Sequence, residues 1–247
     1  MFDMAVAGST NAVLHILSYA YELGIKLTLE DFEKYAEEIP CINAVVPSGP
    51  YTVVDFHYAG GVMNVMKMLE SKLYTNVPSM YGNTWADMLS KVKAQENKVI
   101  HSLEKPLFHE PGLKILRGNL SPNGAIVRPT AVYDEVKYMK GKAKVFEGDR
   151  PAFEAIMAGE IVPGDIIVIR YEGCKGAPGM KELMLSIDAL IGLGLDKSVG
   201  LISDARFSGF NYGAIIGHVS PEAYDGGNIA LVENGDEIVI DIPNGEV

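Results

Sequence analysis

The sequence predicts a mixed α/β chain with two regions, helix-rich over residues 1–110 and rich in short strands over residues 111–247. Three observations predict this. Up to about residue 106, apolar residues recur at helical spacing behind Thr and Gly punctuation. Beyond residue 112, short β-branched runs alternate with Gly and Pro, at 113–116, 125–128, 143–146, 166–169, 199–202, 229–231 and 237–242. Two of those runs, 166–169 and 199–202, end alike, each delivering an acid, a base and glycines onto a turn. Two strands of one design suggest a shared mouth at their ends.

Taken in order, Gly8-Ser9-Thr10-Asn11 is a polar turn that opens a helix. Ala12, Val13, Ile16, Leu17 and Ala20 mark its apolar face, and Gly24 stops it. Glycine and hydroxyls at a helix N-terminus serve as a cap or bind an anion, so Ser9 is kept as a substrate-binding candidate. His15, one turn in, reads as a packed side chain. Thr28 and Asp31 have the spacing of a capping box for a helix over 28–39. Pro47-Ser48-Gly49-Pro50 is a turn. Residues 55–73 read as one amphipathic helix interrupted or begun at Gly60-Gly61, with Val62, Val65, Met66, Met68 and Leu69 as core. A further helix runs over 84–98 behind Thr84, with Trp85 as a packing anchor. Beyond residue 110 the strands are interrupted by helices at 149–158 and about 179–193.

Composition narrows the function classes. A net charge of −11 over 247 residues, with a sequence pI near 4.9, argues against nucleic acid or an anionic membrane surface as partner. No apolar run approaches the roughly 20 residues of a membrane-spanning helix. The N-terminus lacks the basic residues and long apolar stretch of a secretory signal. A soluble, cytoplasmic protein is therefore expected. The two cysteines, Cys41 and Cys174, lie far apart and make neither a disulfide framework nor a metal-binding quartet.

The stretch over 199–227 carries the densest chemistry. An apolar run breaks into a Gly-rich turn bearing Asp204, Arg206, Ser208 and Asn211, then re-enters an apolar segment over 214–219. A strand fixes position, glycines let backbone approach a ligand, and the side chains supply charge and a hydroxyl. The same pattern also suits a polar surface turn. The run over 165–180 ends in Arg170 and Glu172 and a second Gly/Pro-rich loop.

These residues resemble a known family. YEGCKGAPGM and SDARFSG…GHVSPEA, with AGSTNAVLH near the start and LRGNLSPNGAIV in the middle, are similar to the dihydroxy-acid and sugar-acid dehydratases along essentially the whole chain. The resemblance implies that residues 111–247 form a swivelling β/α/β barrel-like domain, preceded by the last helices of a larger α/β domain. It implies a hydro-lyase that turns a 2,3-dihydroxy carboxylic acid into a 2-keto acid. That reaction needs a base for the C2 proton, a Lewis acid for the departing C3 hydroxyl, and a cation for the carboxylate and C2 oxygen. By resemblance Glu172 is a magnesium ligand, and hard Mg²⁺ suits a carboxylate oxygen. Read without the motif, Glu172 would pair with Arg170 or Lys175. Ser208 matches the serine that acts as an alkoxide base. Arg206 holds the substrate carboxylate or braces the loop, and Asn211 is a substrate-binding candidate.

The chain also departs from the pattern. Family members often read Ser-Gly-Gly-Thr-Arg-Gly where this chain reads Ser208-Gly209-Phe210-Asn211-Tyr212-Gly213. The substitutions alter bulk and hydrogen bonding beside the site, and leave a branched-chain precursor or a sugar acid as substrate. The cysteines that hold the family's iron–sulfur cluster have no match here, and Cys174 reads as a small buried residue. The resemblance therefore implies a fragment or subunit truncated at both ends, inactive alone. A longer parent or companion chain would supply the cluster and further magnesium ligands, forming a homo-oligomer when complete. A non-catalytic binding or assembly module with the same fold is the other class of reading. The apolar faces at 1–24 and 55–73 are expected to be exposed in the isolated chain.

Overall fold

The structure, a computed structural model, describes residues 1–207 and 211–247. Its N-terminal region is helical: α1 (Phe2–Ala5), α2 (Thr10–Glu22), α3 (Leu29–Glu38), α4 (Val53–Tyr58), α5 (Gly61–Met68) and α6 (Trp85–Ser90). Three of these begin with the same device. Thr28, Thr52 and Thr84 each form a capping box with an aspartate three residues on, Asp31, Asp55 and Asp87. The carboxylate takes the N-cap amide and the threonine serves the first turn, so helix starts are encoded locally.

Helix ends are less local. The segment over 55–73 is two helices, because Gly60 and Gly61 both adopt positive φ and turn the chain between α4 and α5. The helix expected over 84–98 stops at Ser90. Beyond it, Asn64 of α5 donates to the Gln95 carbonyl (2.8 Å) and accepts from the Gln95 amide (3.0 Å). Asn97 then takes the amides of Val99 and Ile100. These side chains occupy backbone groups that a longer helix would need.

The C-terminal region is a seven-stranded mixed sheet. Its strands are β1 (Lys114–Leu116), β2 (Gly124–Val127), β3 (Tyr138–Glu147), β4 (Asp165–Arg170), β6 (Gly200–Ser203), β8 (Ile215–Ser220) and β9 (Glu237–Asp241), with α7 (Asp149–Met157) after β3 and α8 (Leu185–Gly192) before β6. Two short strands, β5 (Glu182–Leu183) and β7 (Arg206–Phe207), pair separately. The order is β1-β2-β8-β6-β4-β3-β9, with β8, β6, β4 and β3 parallel and the outer pairs antiparallel. The sheet curls until its edges meet. Arg117, just past β1, exchanges backbone bonds with Gly245 and Val247, while Glu246 bonds back to Asp241 at the end of β9.

Both faces of the sheet are covered, which explains the unbroken apolar run of β4. Ile166 and Val168 point into a core with Val127, Ile202, Ile216 and Ile240. Ile167 and Ile169 point the other way, against Ile156 of α7 and Ile187 and Leu190 of α8. This strict alternation fixes the register. A third core joins the helices to the sheet, since Leu113, Ile115 and Ile126 pack with Val13, Phe32, Ile42 and Val65.

Two assignments change. The run over 229–231 is a 3-10 turn, Asn228–Leu231, because the Arg170 guanidinium takes the carbonyls of Ala230 and Val232 that a strand neighbour would need. The helix expected from about 179 begins only at Leu185, after β5. His15 is exposed rather than packed. Large apolar side chains also lie exposed on and after α2 and on α4, among them Tyr19, Tyr21, Leu23, Val53 and Val54.

Ile126 serves both the sheet and the helical core, so Ile126→Ala should cost about 2–5 kcal/mol. Urea unfolding followed by tryptophan fluorescence (Trp85, in the helical region) and by far-UV circular dichroism should shift together. A shift confined to one probe would mean that the helices and the sheet are not one cooperative unit.

Candidate active site

Parallel pairing sets the carboxyl ends of β3, β4 and β6 side by side: Glu147 opposes Arg170, and Ile169 opposes Ser203. Three turns therefore leave the sheet together, carrying Gly148-Asp149, Tyr171-Glu172 and Asp204-Ala205. Such a row of strand ends is where open parallel sheets bind ligands.

One buried carboxylate clamps this row. Asp204 accepts from the amides of Tyr171 (3.1 Å), Glu172 (3.0 Å) and Ala223 (2.9 Å). It thereby holds the turn after β4 to the turn after β6 and to the segment after β8, with Tyr171 at φ 62°. Burial pushes the Asp204 carboxyl up, an effect opposed by the three N–H groups and reinforced by Glu222. Glu222 secures the next residues, accepting from the amides of Lys175 and Gly176. Gly173 is required there, because a Cβ would fall on the Glu222 carboxylate.

Glu172 projects from this clamped turn and is only 4% exposed. Its Oε1 accepts from the Asp149 amide (3.3 Å) and meets Lys181 Nζ at 3.0 Å. Its Oε2 is buried with no hydrogen-bond partner among the described residues. Gly148, at φ 104°, gives this carboxylate room, since a Cβ there would lie 3.0 Å from Oε1. Neither Arg170 nor Lys175 pairs with Glu172. Arg170 is turned to the Ala230 and Val232 carbonyls and Glu147, and Lys175 to Asp225. Asp149 spends its own carboxylate on the amides of Met184, Leu185 and Ser186 and on the Ser186 hydroxyl, capping α8.

The other predicted residues fall nearby in different roles. Arg206 donates through Nε to the Met180 carbonyl (2.6 Å) and through Nη1 to Glu182 (3.2 Å). The same Glu182 oxygen accepts from Asn11 (2.8 Å), which brings the start of α2 to β7. Ser9 caps α2, is exposed, and accepts from the Asn11 amide. Asn211 is buried, and its Oδ1 accepts from Arg128 (2.9 Å). Ser208 lies outside the described residues.

Sequence reasoning passed over Arg128, Asp3, Lys181 and His218. Arg128 is buried, and burial lowers it to about 10. Asp3, close enough for its charge to be felt at Arg128, is raised by burial to about 6. His218, at φ 56°, is lowered to about 3 by burial and by the charge of Arg206, and its Nε2 has no partner. No periodicity marks such residues.

The chain is similar to one protein family along its length. Residues 98–247 match the family model described as dihydroxy-acid/6-phosphogluconate dehydratase C-terminal, and residues 1–88 match its N-terminal counterpart. The chain belongs to this dehydratase family. Among curated family members, it is 47% identical over 244 residues to the dihydroxy-acid dehydratase of Clostridium novyi (strain NT), covering 98% of this chain and 44% of that protein. It is 46% identical over 242 residues to the dihydroxy-acid dehydratase of Geobacter sulfurreducens, with the same coverage. For that of Methanosarcina barkeri the figure is 46% over 247 residues, covering 98% and 45%. The chain thus spans less than half the length of these relatives.

The cofactors implied by the family can be tested against the donors present. An orphaned buried carboxylate oxygen beside a glycine-lined space fits one oxygen ligand of a hard divalent cation. Among the described residues no group of three His, Cys, Asp or Glu could complete a metal site. The thiols do not fit an iron–sulfur cluster. Cys41 is buried, donates to the Asn43 carbonyl, and is pushed by burial up to about 12, the opposite of a ligating thiolate. Cys174 is exposed, not buried as its size suggested, and its sulfur lies 3.5 Å from that of Met180.

Asp3 gives the cluster a pH signature. Its folded pKa of about 6 exceeds the unfolded 3.8, so its protonated form is favoured by folding. Its contribution is full below about pH 4 and is lost as pH rises through about 6. Urea midpoints of Asp3→Asn, measured against the unaltered chain, should therefore gain progressively between pH 4 and 6. A constant difference across that range would show that Asp3 titrates normally.

Proposed function

We propose that this chain contributes to the active site of a magnesium-dependent hydro-lyase acting on a 2,3-dihydroxy carboxylic acid, specifically the branched-chain precursor used by dihydroxy-acid dehydratases. The observation that carries the reading is Glu172: a buried carboxylate with one oxygen unpartnered, at the clamped end of β4, one strand from the turn that leads to Ser208. Burying a charge with an unpartnered lone pair costs free energy unless a ligand takes it up.

In this reading Glu172 would hold a magnesium ion through Oε2, and the ion would supply positive charge that stabilises the enol as it forms. Ser208 takes the C2 proton, the C3–oxygen bond breaks with loss of hydroxide, and the enol formed rearranges to the 2-keto acid. A serine hydroxyl is a weak base, so it needs cationic surroundings to work as an alkoxide. Arg206 supplies such charge two residues away and, tied to Met180 and Glu182, braces the turn. The iron–sulfur cluster belongs to a further polypeptide segment, parent or companion, because the thiols of this chain do not suit it. The Oδ1 of Asn211, which stands where the family usually has threonine, is taken by Arg128.

The test is anaerobic dehydration of 2,3-dihydroxyisovalerate with Mg²⁺, by this chain alone and by its complete cluster-bearing form. Activity is expected only in the complete form. There Ser208→Ala should lower kcat by roughly 10²–10⁴-fold. Full activity in Ser208→Ala would remove the base assignment. Absence of turnover on this acid, with turnover on a sugar acid, would change the substrate, and absence on both would favour a binding module.

A further inference from the structure

We propose that Lys181 is the resident counter-ion of Glu172 and competes with a divalent cation for that carboxylate, so that the lysine sets the affinity of the site. The inference rests on the reading of Glu172 as a metal ligand and adds a residue to it.

A carboxylate as buried as Glu172 needs compensation. It receives one amide, from Asp149, and one ammonium, from Lys181, both on Oε1. Among the described residues no other cationic side chain pairs with it, Arg170, Lys175 and Arg206 being engaged elsewhere. The two partners of the pair differ sharply in freedom. The Glu172 side chain is 5% exposed, whereas that of Lys181 is 62% exposed. Glu172 is fixed by its turn, and Lys181 reaches in from solvent on a flexible stem.

A cation on Oε2 would share a single carboxylate with the ammonium on Oε1, a few ångströms away, and the two would repel. Lys181 is the group that can yield, because a compact ammonium regains its hydration on swinging outward. Without the metal, the same lysine keeps the buried carboxylate paired and oriented. Lysine and metal therefore disfavour each other on this carboxylate.

Mn²⁺ is a suitable probe, since it takes oxygen ligands as Mg²⁺ does and is paramagnetic. Amide resonances of residues 147–149 and 171–173 would be followed in the 247-residue chain as Mn²⁺ is added. Lys181→Met should bring their broadening to about fivefold lower Mn²⁺, the scale expected for removing one solvent-screened charge. Lys181→Gln should behave alike, and both variants should keep the dispersed spectrum of the parent because the side chain is exposed. Unchanged or weaker binding in these variants, or no broadening at these amides in any of them, would overturn the proposal. Glu172→Gln separates the two ideas: it should abolish the broadening with or without Lys181. Broadening that survives in Glu172→Gln/Lys181→Met would sink the metal reading itself.

Discussion

The geometry of the site depends on one side chain accepting three backbone amides. Asp204 has no charged partner among the described residues, yet it ties the turn after β4, the turn after β6 and the segment after β8 into one rigid corner. A carboxylate accepting several N–H groups is a strong and directional clamp, and burial leaves it no competing water. Without it Tyr171 would have little reason to keep a left-handed conformation, and Glu172 would not be presented inward. The clamp thus converts sheet register into the position of one buried carboxylate oxygen.

Around that corner, carboxylates divide into two kinds. Asp149, Asp204 and Glu222 are saturated by amides or a hydroxyl and serve as fasteners. Glu172 alone among these four keeps a buried oxygen without a partner. Saturated carboxylates stabilise a loop, whereas an unsaturated one waits for a ligand. The distinction sets Glu172 apart within a cluster whose residue types look alike in sequence.

The contacts joining the helices to the sheet bear on the same corner. Asn11, beside the cap of α2, reaches Glu182, and Glu182 holds Arg206. The polar start of α2 and the charged turn after β6 are thus one neighbourhood, although 195 positions (206 − 11) separate Asn11 from Arg206. A core of Leu113, Ile115 and Ile126 with the helices keeps them in contact.

What short-range physics dictates could be read from the residues directly. Threonine and aspartate three apart started helices, β-branched runs became strands, and glycines marked the turns where backbone had to bend. The stretch around Glu172 stood out only through its likeness to a family motif, since read without that motif the acid would have been paired with Arg170 or Lys175. Helix ends were not legible where remote side chains held the backbone, as Asn64 does beyond α6, and residues 229–231 left the sheet because Arg170 took their carbonyls. Nor could spacing show that Lys181, rather than Arg170 or Lys175, would meet Glu172. Side-chain reach follows from which strand ends lie together, and strand order is a property of the folded sheet. Which carboxylate kept an oxygen to give was settled only in the folded chain, because satisfaction of a buried polar group depends on every neighbour brought to it.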